Sequence, residues 1–324
     1  MTGKSSLALL LATLAGLALA VVAVSRVGFA SVLTAVGRIG WPGFFALVAY
    51  SLLPLALLGV AWWACAQDAR AGPARFVWAR TVREGATDVL PFAQFGGLIV
   101  GARVLVASGV SSGMAWASMV ADLSSELAAQ LVFTLYGVGA LALVLAGRTD
   151  ARALWPVVAA GVAASIAILA AFLAFQKPML RIAGALGERV LPGAAKATAG
   201  VADALATIYA RRTGVTAAFA LNLAAWVLSA GGAWVALRLM GVAVPLPAVL
   251  TIEALIFTLR SAAFMVPGAL GLQEAAYTLL GPLFGLDPAT ALGLSLVKRA
   301  RDLAIGVPAL LLWQAGEGRR LLER

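Results

Sequence analysis

Residues 83–130 read REGATDVLPFAQFGGLIVGARVLVASGVSSGMAWASMVADLSSELAAQ. Apolar runs fill this stretch and the chain around it. Yet it carries Arg83, Glu84, Asp88, Arg103, Asp122 and Glu126, with Pro91, Gly96, Gly97 and Gly101 in its middle. Charges and broken backbone at membrane depth are costly, and are tolerated where they are buried in protein or line a wet cavity. A functional site is expected here first.

The stretch has a partner. One constant offset lays Val266-Pro267-Gly268-Ala269-Leu270-Gly271 on Leu90-Pro91-Phe92-Ala93-Gln94-Phe95, Gly285 on Gly109, Lys298 on Asp122 and Asp302 on Glu126. Both copies run through a polar approach, a Pro/Gly break, a short apolar run, a glycine turn and a long helix with charges at helical spacing. Identities are few, so the internal repeat, approximately 83–146 and 252–314, is one of architecture.

Composition sets the class. The chain is 62% hydrophobic and 12% charged, which marks a polytopic helical membrane protein. The expected fold is all-α, a single transmembrane domain over 1–324. It comprises about six full transmembrane helices plus two re-entrant, broken helical hairpins related as an inverted repeat. The net charge of +10 does not point to nucleic acid, because the positive residues sit in short loops, as orientation by the positive-inside rule requires. There is one cysteine, Cys65, and no histidine. Disulfide frameworks, Cys/His metal sites and histidine-based nucleophilic pairs are thereby absent. No metal and no cofactor is expected, and Cys65 reads as an inert small hydrophobe at the end of a span.

In order, the run from Leu7 through Val24 reads as an uncleaved first helix despite a signal-peptidase-like Ala18-Leu19-Ala20. A loop over 25–40 precedes a span over about 43–64, with Trp41, Trp62 and Trp63 as interfacial anchors. QDARAGPARFVWARTVR, residues 67–83, reads as a basic loop. The helix from about Met114 to Ala146 carries Ser118, Asp122, Glu126 and Gln130 on one face. Another span covers about 154–175. Residues 177–212 read as amphipathic segments at the cytoplasmic membrane surface or as a solvated loop. A span over about 215–239 leads to the second copy, whose final helix ends near Trp313.

Loop charge orients the chain. Lys4, the 66–83 loop, the 176–212 segment and the C-terminus hold most of the 24 Lys and Arg. Placing them in the cytoplasm, with both termini, requires residues 84–109 to begin and end on the cytoplasmic side and 248–286 on the outer side. The two copies then enter from opposite faces, as in inverted-repeat transporters with sites near the midplane.

Within this frame, Arg103 and Arg260 approach the two breaks and suit phosphate or carboxylate headgroups. Their structural alternative is pairing with Glu84, Asp88 or Glu274. Half-helix N-termini after Pro91 and Pro267 would offer backbone N–H donors, with Gly268, Gly271 and Gln273 beside the second. Gly97 and Gly101 permit close helix approach. The acidic stripe Asp122, Glu126 and Gln130 is expected to face the basic cluster Lys298, Arg299, Arg301 and Asp302 across a pseudo-two-fold axis. Arg83, Glu84, Asp88 and Glu274 complete the candidate site, and structural salt bridges account for part of it.

At these residues the chain resembles the lysylphosphatidylglycerol-synthase transmembrane, flippase-like superfamily, and within it the hopanoid-biosynthesis-associated HpnL-type membrane proteins. The carriers are VREGATDVLPFAQFGGLIVGAR at 82–103, VADLSSELAAQ at 120–130, VPGALGLQEAAYTLLGPLFGL at 266–286 and ALGLSLVKRARDLAIGVPALLLWQ at 291–314. The resemblance implies a bacterial inner-membrane protein that moves or hands over lipid: hopanoid, polyprenyl or anionic phospholipid. Lipid-biosynthesis or transport proteins are its implied partners. No soluble aminoacyl-transferase domain is seen, so lysyl transfer is not expected. Two other classes compete: an intramembrane lipid-modifying enzyme, such as a polyprenyl-phosphate phosphatase or transferase, and a scaffold of a lipid-biosynthesis complex. Without a histidine or a nucleophile motif, enzyme activity is not expected. No phosphate-binding GxxxxGK[ST] loop is present, so transport would be facilitated, ion-coupled or partner-driven. If protons drive it, Asp122 or Glu126 is the carboxylate to carry them.

Overall fold

In lipid every backbone polar group needs an internal partner, so an apolar chain of this kind folds as helices. The computed structural model describes residues 29–67, 71–89, 93–146, 194–262 and 272–322, with scattered positions between 159 and 178. Its elements are α1 (Phe29–Ala66), α2 (Pro73–Val89), α3 (Ala93–Ala107), α4 (Ser112–Ala146), α5 (Ala194–Ala210), α6 (Arg212–Leu239), α7 (Leu246–Ala262), α8 (Leu272–Leu280) with a 3-10 turn (Gly281–Phe284), and α9 (Pro288–Leu322). The described residues contain no strand, and the protein is an all-α membrane protein.

Among the described residues three helices are long and apolar enough to cross a bilayer: Gly37–Ala66, Ser112–Val144 and Arg212–Leu239. The expected span over 1–24 and the breaks at Pro91, Pro267, Gly268 and Gly271 fall outside the described residues, while the described positions of the expected span over 154–175 are helical. Helix α2 has 17 residues and α3 has 15. At 1.5 Å per residue neither reaches the ~30 Å of a hydrocarbon core alone.

Two segments differ from their sequence reading. The 25–40 loop is helical from Phe29, with a kink at Gly40 (φ 69°). The basic loop over 67–83 becomes a helix from Pro73, because proline fits a first helical turn and Phe76, Ala79, Val82 and Ala86 recur at helical spacing and are all buried. Dense arginines masked that stripe. Two smaller differences concern Trp62, which is fully buried instead of interfacial, and α9, which runs past Trp313 to Leu322.

Helix α1 packs along α6, α2 against α3, α1 and α9, and α4 against α5, α6 and α7. One core joins Leu47, Leu237, Ile252, Ile256, Tyr277, Leu294 and Val297; another joins Trp62, Phe76, Val82, Leu105, Met119 and Leu310. Helix α5 lays Val201, Leu205 and Ile208 on Ala117, Ala121 and Ala61, so this part of the charged 177–212 segment is amphipathic. Outward-facing Leu143 (80% exposed), Leu279 and Leu312 would be an aggregation hazard in water, and suit contact with acyl chains.

The backbone repeats itself. The offset seen in sequence carries Ser112–Ala146 onto Pro288–Leu322, so α4 and α9 start and end at matching positions. Gly109 (φ 95°) and Gly285 (φ 84°) both adopt the left-handed conformation that glycine tolerates. Each turn closes with the same two bonds: Gly109 N to Val106 O at 3.0 Å and Val110 N to Leu105 O at 3.2 Å, then Gly285 N to Pro282 O at 3.4 Å and Leu286 N to Gly281 O at 3.0 Å.

Candidate functional site

The face of α2 that carries Arg80 and Arg83 turns inward toward α4. Arg80 places Nη1 3.2 Å from Asp122 Oδ2, Nη2 2.6 Å from Glu126 Oε1 and Nε 2.8 Å from Glu84 Oε1. Arg83 reaches the same two α4 carboxylates at 3.4 Å each, and its guanidinium lies 5.9 Å from the Trp62 ring. Asp122 is 0% exposed. From α6, Asn222 donates to Asp122 at 3.4 Å and to Ser125 at 3.0 Å, while Trp62 donates to Ser118 at 3.0 Å. The polar stripe on α4 is thus enclosed by three other elements. Gln130, one turn on, donates to the Phe257 carbonyl at 3.3 Å.

Helix α3 comes close enough to support Arg83 because two residues on its inner face lack side chains. A Cβ on Gly97 would stand 2.3 Å from Thr87 Oγ1 and 2.8 Å from the Arg83 carbonyl, and one on Gly101 3.2 Å from Arg83 Cβ. Gly97 and Gly101 therefore sit at the close approach that their spacing suggests.

The second half builds a different cluster from the same plan. Lys298 on α9 lies 2.5 Å from Glu253 Oε2 on α7 and donates to the Tyr277 hydroxyl at 2.7 Å. Tyr277 in turn donates to Glu253 Oε1. All three are buried, with Lys298 Nζ 5.3 Å from the rings of Phe257 and Tyr277. Gln273 on α8 donates to Ser295 at 2.9 Å, Ser295 to Glu274 at 3.3 Å, and Arg299 pairs with Glu274 at 3.4 Å. Glu274 occupies the first turn of α8, where a negative charge complements the helix dipole. Arg301 bonds its neighbour Asp302 at 2.5 and 3.0 Å.

Arg260 joins the halves. It donates to Gln273 Oε1 at 3.0 Å and approaches Asp88 Oδ1 at 3.6 Å, with side chains 25% and 18% exposed respectively. Asp88 also lies within electrostatic reach of Glu84, Arg299 and Asp302. The result is one polar layer from Asn222 to Lys298, sealed at both ends and open near Glu84, Asp88, Arg260 and Glu274.

Most of the residues singled out in the sequence belong to this layer, but the pairing is new. The acidic stripe on α4 does not meet the basic cluster on α9. Arg80 and Arg83 neutralise the first, and Glu253 partners Lys298 in the second. Arg103 stands apart: 62% exposed, it pairs with Glu317 at 3.3 Å. It lies on the outer stripe of α3 with Ile99 and Val106. Arg80, Asn222 and Tyr277 were not singled out. Asn222 in an otherwise apolar span was the one visible signal for α6.

No curated protein and no solved structure matches the chain. The family model described as the lysylphosphatidylglycerol synthase TM region matches residues 6–309, which takes in both glycine turns and the whole charged layer. On that match the chain belongs to the family of lysylphosphatidylglycerol synthase transmembrane regions.

Proposed function

We propose that this membrane protein moves lipid between leaflets, or hands it to a partner, in the bacterial inner membrane with both termini cytoplasmic. The observation that carries the reading is the polar layer itself. A buried ion pair is seldom a gain in stability, and apolar replacements of similar volume are often more stable by about 1–4 kcal/mol. A chain that keeps so many such groups at membrane depth is using them. The layer lies between two halves of one plan, where inverted-repeat transporters hold their cargo. Its open part offers Arg260 to a phosphate or a carboxylate.

The family places the protein in lipid-related processes, and the narrower likeness to hopanoid-associated members favours hopanoid or a related isoprenoid as cargo, with anionic phospholipid as the other class. Enzymatic turnover is not part of the proposal. The test is mass spectrometry of lipids retained by natively purified protein, comparing wild type, Arg260→Ala and Arg103→Ala. Enrichment of one lipid class that Arg260→Ala loses and Arg103→Ala keeps is expected. Bulk phospholipid in all three would overturn the reading, and phosphate release from polyprenyl phosphate would replace it with the enzyme.

A further inference from the structure

The matching helices α4 and α9 handle charge in opposite ways. On α4, Asp122 and Glu126 are gripped by Arg80 and Arg83, and a guanidinium keeps its proton throughout the physiological range. That end of the layer is a fixed array of charges. At the matching position α9 carries Lys298, whose partners are the carboxylate of Glu253 and the hydroxyl of Tyr277. Carboxylate, phenol and ammonium can each gain or lose a proton.

We propose that Glu253, Tyr277 and Lys298 form a proton-exchange site that couples lipid movement to a proton gradient. It rests on the transport reading above, and it moves the coupling role from Asp122 and Glu126 to the other half. The geometry suits the task. Tyr277 accepts from Lys298 and donates to Glu253, so its oxygen bridges the two charged ends. The charged groups acting on the site are Arg260 from α7 and Arg301 from α9, and Arg301 is in turn under the influence of Asp302 on α9 and Asp88 on α2. Phe257 lies beside Lys298 Nζ. Against this stretch of α7, α4 sets Gln130 and Thr134 and α6 sets Trp226, none of them ionisable.

In the paired state of this cycle, Lys298 is the ammonium and Glu253 the carboxylate. When lipid movement opens this end of the layer to water, a proton passes from hydronium to Glu253, breaking one O–H bond on the hydronium, forming one on the carboxylate and converting it to a neutral acid. The attraction between α7 and α9 is then lost, and Lys298 is left without a carboxylate partner beside Arg260 and Arg301, whose own partners are Asp88 and Asp302. Loss of that proton to the other aqueous side breaks the O–H bond and restores the pair. One proton crosses per cycle, and no electron or other bond changes.

The experiment uses the full chain in vesicles of phosphatidylethanolamine and phosphatidylglycerol, with NBD-labelled phosphatidylglycerol as probe and pyranine inside as pH dye. The readout is the ratio of probe movement with and without an imposed pH difference, together with proton uptake. For wild type, a ratio severalfold above one is expected. Lys298→Arg leaves Glu253 able to take up and release its proton, so the ratio should stay above one; a ratio of one would put the exchange on Lys298 and overturn the cycle. Glu253→Gln/Lys298→Met removes both charges, so no lone ion is buried, and should move probe with a ratio of one and no proton uptake; a ratio still above one overturns the site. Wild type that moves probe without regard to the gradient overturns the proton site alone. Wild type that moves no probe removes anionic phospholipid as cargo, and wild type that takes up no protons under the imposed gradient overturns the site.

Discussion

Asp88 and Arg260 meet at 3.6 Å where the two halves of the molecule come together, each still partly open to its surroundings. Groups that pair loosely at an opening can exchange each other for a ligand. Asp88→Asn and Arg260→Gln should each weaken movement of NBD-labelled phosphatidylglycerol in vesicles. A double-mutant cycle should return a coupling energy of about 1 kcal/mol, within the range for contacting charged residues. Additive losses would show that the pair does not act together.

Arg80 is the hub of the first half, 2% exposed and in contact with Glu84, Asp122 and Glu126. Removing one partner from such a network strands charge in the protein interior, at a cost of about 3–5 kcal/mol. Arg80→Met should therefore lower the melting temperature in detergent sharply. Asp122→Asn/Glu126→Gln should do the same by stranding Arg83 and leaving Arg80 only Glu84, so loss of transport in that double variant will not by itself reveal a functional role. A stable Arg80→Met protein would remove Arg80 from the hub.

Helices α2 and α9 cross with backbones in contact. A methyl group on Gly85 would lie 2.8 Å from the Gly306 carbonyl oxygen and 2.9 Å from its Cα. Backbone cannot yield as a side-chain tip can, and overpacking costs about 1–3 kcal/mol. Gly85→Ala should melt lower than wild type, whereas Gly96→Ala, which meets nothing within 4 Å, should not. Equal melting temperatures would mean the crossing can widen freely.

Asp287 caps α9, accepting the Thr290 N–H at 3.0 Å ahead of Pro288. Bonds from Thr290, first through its hydroxyl and then through its backbone, hold the Asp287 carboxyl below its ordinary value. A carboxylate depressed in the folded state contributes stability at neutral pH and loses it as pH falls through the ordinary range near ~4. Asp287→Ala should melt below wild type at neutral pH, and the gap should close in acid. A gap independent of pH would assign it to something other than the charged cap.

The sequence made the architecture readable where periodicity is strong. Ser118, Asp122, Glu126 and Gln130 announced one face of a long helix, and a constant offset linked the two glycine turns. Partners were harder to see. Spacing says which residues share a face but not which face lies opposite, so Arg80–Asp122 and Glu253–Lys298 needed the packed helices. Helix α2 was hidden because four arginines over 70–83 look like a cytoplasmic loop, although its buried stripe has helical period. Arg103 misled for the converse reason. It follows the break in sequence, but helical phase places Gly97, Val100, Gly101 and Val104 inward and Arg103 outward. Tyr277 gave no sign, since an aromatic in an apolar segment reads as packing.

The opposite use of charge in the two halves has a corollary. Around its ion pairs the first half holds more carboxylates than arginines, with Glu84, Asp88, Asp122 and Glu126 against Arg80 and Arg83. The second leans the other way, with Arg260, Lys298, Arg299 and Arg301 against Glu253, Glu274 and Asp302. Two copies of the first half alone would set surplus carboxylate against surplus carboxylate; in this chain the surplus of one half meets that of the other at Asp88 and Arg260.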